Sequence, residues 1–228
     1  MAYRATYTRE APSPRYLRLL DEYRLLHTEG AKAQGLSAEE TFPGQSLPEH
    51  APAIRGLIEA TGARSLIDYG SGKGRQYEWT DLTMPGGEVV PSLSAYWGNP
   101  GLVLFDPGYP PLSERPSGPA DGVICTDVLE HCPEEDMAWI LDEIFSLANR
   151  FVFANVASYP AAKTLPSGEN VHCTVRPAVW WDGMVAGVAV RYPQVRYRVL
   201  VEERRPKGLL SRGGKTTSVI EGGPVTAG

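Results

Sequence analysis

Four short apolar runs, each closing on polar residues, constrain this 228-residue chain more than any other feature. "RSLIDYG" carries Asp68 at its end, "GLVLFDP" ends in Asp106, "DGVICTDVLEHCPEED" places Asp127 at its strand end, and "RFVFANVAS" is the fourth. Short apolar runs bounded in this way read as strands buried on both faces, the form parallel strands take. Helical or turn segments separate them, which predicts an α/β, Rossmann-like, doubly wound and mostly parallel sheet, with its ligand beyond the strand ends. A single core grows to roughly 250 residues before a chain divides. One domain is therefore expected over 1–222, with a helical cap over 1–60, a core over 65–200, and residues 223–228 as a frayed tail.

The N-terminal helices are legible from spacing. "SPRYLRLLDEYRLLHTEG" places Tyr16, Leu17, Leu20, Tyr23, Leu25 and Leu26 at mostly helical intervals and then offers Gly30 as a stop. "EHAPAIRGLIEATG" predicts a second helix ending at Gly62. A helix is expected from about Pro133 through "MAWILDEIFSLA", and another at "PAVWWDGMVAGV". "VRYRVLVEE" and "TTSVIEG" read as closing strands, at least one of them antiparallel.

The loop after the first run, "DYGSGKGRQY", holds Gly70, Gly72 and Gly74. A dinucleotide loop needs Gly-x-Gly-x-x-Gly, and position 75 is Arg; a P-loop needs Ser or Thr after its Gly-Lys, and Lys73 is followed by Gly74. The later "SRGGKTT" lacks the first P-loop glycine and any following helix, so it counts as a chance match. Alternating glycines let a backbone pass close to a ligand, and Asp106 at the next strand end can accept both hydroxyls of a ribose. Such a pair suits a nucleoside whose other end carries no phosphate, and S-adenosylmethionine meets that description.

In the order "LIDYGSGKG", "LFDPGY" and "GVICTDVLEH", these segments resemble motifs of the class I S-adenosylmethionine-dependent methyltransferases. "DVLEH" is similar to the small-molecule branch, including quinone and sugar O-methyltransferases. More narrowly, "LHTEG", "DPGYPP", "CTDVLEHCPEED" and "NVHCTVRP" resemble bacterial and phage methyltransferase-like proteins of unassigned substrate. The resemblance covers roughly Ser65 to Ala157. It implies that Asp68, Gly70, Gly72 and Gly74 surround the methionine end of the cofactor, that Asp106 holds the ribose, and that Asp127 and Val128 face the sulfonium and the substrate. The chain departs from the family between Tyr77 and Gly101, and Asp106 to Asp121 is too proline-rich for an obvious third strand. Either the sheet has lost a strand or "SLSAYWG" forms a lid.

Methyl transfer is an in-line displacement that a base can assist. Candidate bases are His172, His131 and Glu130, set against plainer roles: a helix cap for His172, a turn-fixing bond for His131, a helix N-terminus for Glu130. His131, Cys132, His172 and Cys173 are acceptable zinc ligands, but none shows the usual ligand spacing, so no metal is expected. Glu130 joined to His131 would permit a magnesium-assisted transfer, which the spacing does not require. Tyr109 either packs on the adenosine or orders a proline turn. One of the two tryptophans at Trp180 and Trp181 packs on the sheet, and a stacking wall for a base or sugar is the sharper alternative. Arg191, Arg196, Arg198, Arg204, Arg205 and Lys207 form either a solvated strand face or a site for a phosphate-bearing substrate.

The acceptor is expected to be a hydroxyl or amine of a small metabolite, such as a sugar or nucleotide-linked intermediate. Exocyclic amines of DNA bases call for Asp/Asn-Pro-Pro-aromatic where this chain has "TDVLEH", and Cys132 precedes its proline rather than following one. A net charge of −5 also disfavours nucleic acid. A non-catalytic S-adenosylmethionine-binding partner or regulatory protein is the alternative, and a nicotinamide-linked reductase a more remote one. No apolar run approaches the roughly 20 residues that cross a bilayer. The N-terminus has no signal-peptide core, and an odd number of cysteines, 3, suggests free thiols in the cytoplasm.

Overall fold

The computed structural model describes residues 7–42, 44–205 and 214–224. Helix α1 (Pro14–Glu29) starts where Ser13 Oγ accepts the Tyr16 N–H at 3.0 Å, with Pro14 in the first turn; it stops at Gly30, whose φ of 79° suits glycine. The expected apolar face is corrected: Leu17 and Leu25 are exposed, while Leu19, Leu26, Glu22 and His27 are buried. Glu22 takes the inner side because Arg18 Nη1 and the Ser167 N–H both donate to it, at 2.7 and 2.9 Å. Helix α2 (Leu47–Thr61) ends at Gly62 as expected, burying Ala51, Ile54, Leu57 and Ile58.

Strand β1 (Ser65–Tyr69) leads through the glycine loop to a short hairpin, β2 (Leu82–Thr83) and β3 (Val89–Val90), and one turn of helix, α3 (Leu93–Tyr96). There follow β4 (Gly101–Phe105), β5 (Ala120–Thr126), α4 (Met137–Ser146), β6 (Ala148–Ser158), α5 (Ala178–Ala189), β7 (Arg196–Arg205) and β8 (Gly214–Gly222). The main sheet runs β4-β1-β5-β6-β7-β8, parallel throughout except for β8, which pairs antiparallel with β7. Helices cover both faces. Ile140, Ile144 and Phe145 of α4 and Trp181 and Val185 of α5 pack on one, and Ile54, Leu57 and Ile58 of α2 with Leu93 of α3 on the other. This is the doubly wound, Rossmann-like arrangement.

Between Asp106 and Pro119 there is a 3-10 turn at Pro110–Leu112 and no strand, so the sheet stops at β4. "SLSAYWG" is not a lid: Leu93 and Trp97 are buried, and Trp97 Nε1 donates to Ala51 O at 3.1 Å against α2. The chain steps outward from β1 to β4 and then back across to β5. That reversal of strand order opens a crevice at the carboxyl ends of β1 and β5.

"TTSVIEG" lies in β8, where Lys215 pairs with Glu202 and holds no loop for a phosphate. Lys207, the Arg205 side chain and residues 225–228 of the expected tail lie outside the described residues. Among the described residues no helix is long and apolar enough to cross a membrane.

Candidate functional site

A cavity of about 490 Å³ occupies the crevice. Gly70 and Gly72 line it after β1, Asp106 after β4, and Asp127, Val128 and His131 after β5. The glycine loop is bound to the neighbouring strand by Gly70 N–H to Phe105 O at 2.7 Å and Ser71 N–H to the same oxygen at 3.1 Å. Gly70 (φ 83°) must be glycine, since a Cβ there would overlap the Val128 methyls that press on the loop. At Gly72 (φ 58°) a Cβ would find nothing nearer than Phe42 O at 3.7 Å. That face of the backbone is open to a ligand.

Asp106 bridges the two sides of this wall. Its Oδ2 accepts the Gly72 N–H and its Oδ1 the Gly108 N–H, each at 2.8 Å. Burial pushes the carboxyl up to about 6, and the backbone donors work against that rise. Each oxygen accepts one of these backbone N–H bonds and retains capacity for a second. Asp127 stands opposite with φ at 55°, a conformation that Asp tolerates better than most residues. Asn155 Nδ2 donates to its Oδ1 at 2.6 Å and Ser46 Oγ to its Oδ2.

His131 and His172 face the cavity from adjacent segments, their rings edge to face with centroids 4.9 Å apart. His131 Nδ1 lies 2.9 Å from Val171 O and 2.8 Å from Tyr23 Oη; His172 Nδ1 lies 2.6 Å from Tyr159 O. A carbonyl can only accept, so both Nδ1 atoms carry the proton and both Nε2 atoms present lone pairs. Burial lowers both imidazoles, His131 to about 4. Glu130 is fully buried beside them, its Oε1 accepting the Ala157 N–H at 2.9 Å and its Oε2 without a partner. Burial, with Asp127 nearby, pushes Glu130 up to about 8. One ligand atom from each of Glu130, His131 and His172 falls within 4.8 Å of the others.

The remaining expected site residues stand off the cavity wall. Asp68 is buried behind the loop, where Tyr77 Oη donates to Oδ2 at 2.8 Å and Oδ1 has no partner. Gly74 opposes Leu104, which a Cβ there would overlap. Tyr109 lies with its ring 5.2 Å from His27 and begins the proline turn. Trp181 of α5 is wholly buried, with Trp180 packed edge-on at 4.9 Å, and neither lines the cavity. Arg191 and Arg198 pair with Asp142 and Glu221. Arg204 sits 4.0 Å over the ring of Tyr159, which lines the cavity. The cysteines are free thiols, and Cys132 Sγ turns toward Val128 O rather than toward the imidazoles.

Sequence reasoning missed the ceiling. Tyr16, Leu20, Tyr23 and His27 of α1 line the cavity together with Phe42. Their intervals of four, three and four residues form one helical face, the signal that could have found them. The His27 and Phe42 rings lie 4.9 Å apart, and His27 Nδ1 is buried without a partner.

No family model matches the chain, and no curated protein matches it. Among solved structures, an O-methyltransferase family protein from Burkholderia thailandensis superposes on 93% of this chain and 68% of its own. The TM-score is 0.49 and the identity 15%. At that level the likeness adds nothing to the chemistry of the site.

Proposed function

We propose that this protein is an S-adenosylmethionine-dependent methyltransferase acting on a hydroxyl or amine of a small metabolite. The observation that carries this is the Asp106 carboxylate held on the Gly72 N–H at the mouth of β4, on the wall of one cavity. A nucleoside fits there: the carboxylate oxygens have capacity left for ribose hydroxyls, and Gly72 leaves open space at the backbone. The His27 and Phe42 rings offer a flat partner for a nucleobase. When bound, the cofactor supplies a methyl group on a sulfonium to a nucleophile aligned behind it.

Val128 and Asp127 follow β5 at the crevice and would set the depth at which that nucleophile stops. His131 and His172, which also line the cavity, would face the acceptor. A cavity of about 490 Å³ is of metabolite size, which supports a small-molecule acceptor.

Calorimetric titration with S-adenosylhomocysteine tests the assignment, with NADH as comparison and Asp106→Ala as control. Micromolar binding that the substitution abolishes, with no response to NADH, is the expected result. Absence of binding to the intact protein would remove the nucleoside assignment. Formation of methylated product from an acceptor panel then separates an enzyme from a protein that only binds.

A further inference from the structure

We propose that Glu130, His131 and His172 bind one divalent transition-metal cation at the edge of the cavity, and that this cation holds and ionises a hydroxyl of the acceptor. The role toward the acceptor rests on the methyltransferase proposal; the binding site does not.

The donors have the form of a metal site before any cation is added. Both imidazoles commit Nδ1 to backbone carbonyls, Val171 O and Tyr159 O, which fixes the tautomer that leaves Nε2 to coordinate. Metal-ligating histidines characteristically donate their other ring N–H in this way. Glu130 divides its oxygens likewise: Oε1 takes the Ala157 N–H, while Oε2 is buried with no partner. A buried polar atom left unsatisfied carries an uncompensated desolvation cost, which a cation would offset.

The backbone holds the three groups in one place. The Thr174 N–H donates to Glu130 O at 3.0 Å and Thr174 Oγ1 to Cys132 O at 2.6 Å, joining the segment after His172 to the turn that carries Glu130 and His131. Asn170 Oδ1 accepts the His172 N–H at 3.0 Å. Zn–N and Zn–O bonds of about 2.0–2.2 Å set ligand atoms about 3.3 Å apart. One donor atom from each of the three residues lies within 4.8 Å of the others, so no edge of that set has to shorten by more than about 1.5 Å.

Two imidazoles and a carboxylate suit zinc, cobalt or iron rather than magnesium, and three protein ligands leave a position open. Because His131 and His172 both line the cavity, that position faces the acceptor. A hydroxyl bound there would release its proton to solvent and keep the electron pair on oxygen, ready to act as the nucleophile. The sequence spacing gave no reason to expect this set; it forms because the turn after β5 and the loop after β6 meet.

The test is calorimetric titration of zinc chloride into metal-stripped full-length protein, with the visible spectrum of the cobalt(II) form. One equivalent should bind, and affinity should fall by at least about tenfold in Glu130→Gln and in His172→Ala. The Cys132→Ser, Cys173→Ser double variant should bind as the parent does. Cobalt should show ligand-field bands without sulfur charge transfer, which decides the matter even where a variant does not fold. Failure of the parent to bind, or sulfur charge transfer with binding lost in the double variant, would overturn the site. Zinc binding without S-adenosylhomocysteine binding would leave the site standing and remove its role toward the acceptor.

Discussion

Asp68 shows how far environment, rather than residue type, decides chemistry at this site. It ends the first apolar run as expected, yet the chain folds it behind the loop, where burial raises its carboxyl from 3.8 to about 7. Tyr77 and Gln76 donate to one oxygen and partly oppose that rise, while Oδ1 stays unpartnered. An acid whose folded pKa lies above its unfolded one favours the folded state most below the unfolded value. That contribution is lost as pH rises through the folded value. The wild-type protein should therefore lose stability relative to Asp68→Asn between pH 4 and 8, by up to about 4 kcal/mol at about 1.4 kcal/mol per unit. Urea unfolding of both proteins across that range measures it, and parallel stability curves would mean that Asp68 is ionised throughout. The identity of such residues was legible, because an acid at a strand end is a local pattern. Their orientation was not: Asp106 reaches the cavity and Asp68 does not, because Tyr77 and Gln76, a few residues later, draw Asp68 away.

At the scale of elements, α1 is where pattern and structure part. Its end was readable from Gly30, but its buried face was not, since Glu22 is held inside by Ser167, far along the chain. The same helix supplies the cavity ceiling, and its N-terminus is tied to α4. Ser13 Oγ caps α1 and also donates to Asp136, whose other oxygen accepts the Ser13 N–H and Trp139 Nε1, at 2.9 and 2.8 Å. Ser13→Ala removes the cap and one bond to a buried carboxylate. The expected loss is about 1–2 kcal/mol in urea unfolding, with faster amide exchange in the first turns of α1. A loss below about 0.5 kcal/mol, the level of an ordinary surface change, would show that Asp136 alone positions the helix. The glycine loop makes the opposite case. It was legible because its requirement is local, a backbone at positive φ.

For the molecule as a whole, six stretches distant in sequence contribute to the cavity wall: α1, the loop before α2, the ends of β1, β4 and β5, and the loop after β6. Periodicity finds each strand, since a buried parallel strand advertises itself. It does not show that His172 will meet His131 or that His27 and Asp106 will line one cavity, because those meetings depend on crossovers rather than on neighbours. A ligand seated there bridges these segments, and so should change the exchange behaviour of regions that the nucleoside motifs do not include. S-adenosylhomocysteine at a hundred times its dissociation constant should stabilise the fold by about 2.7 kcal/mol, or roughly 5–10 °C in Tm for a chain of this size. Hydrogen exchange should then slow in α1 from Tyr16 to His27 and in the loop from Tyr159 to His172, in addition to the glycine loop. Helix α5 packs in the core beside α4 and has no residue on the cavity wall, so its exchange should slow only as much as global stability requires. Protection confined to Gly70 through Tyr77 would show that the helical ceiling is scaffold, and that the ligand rests on the loop alone.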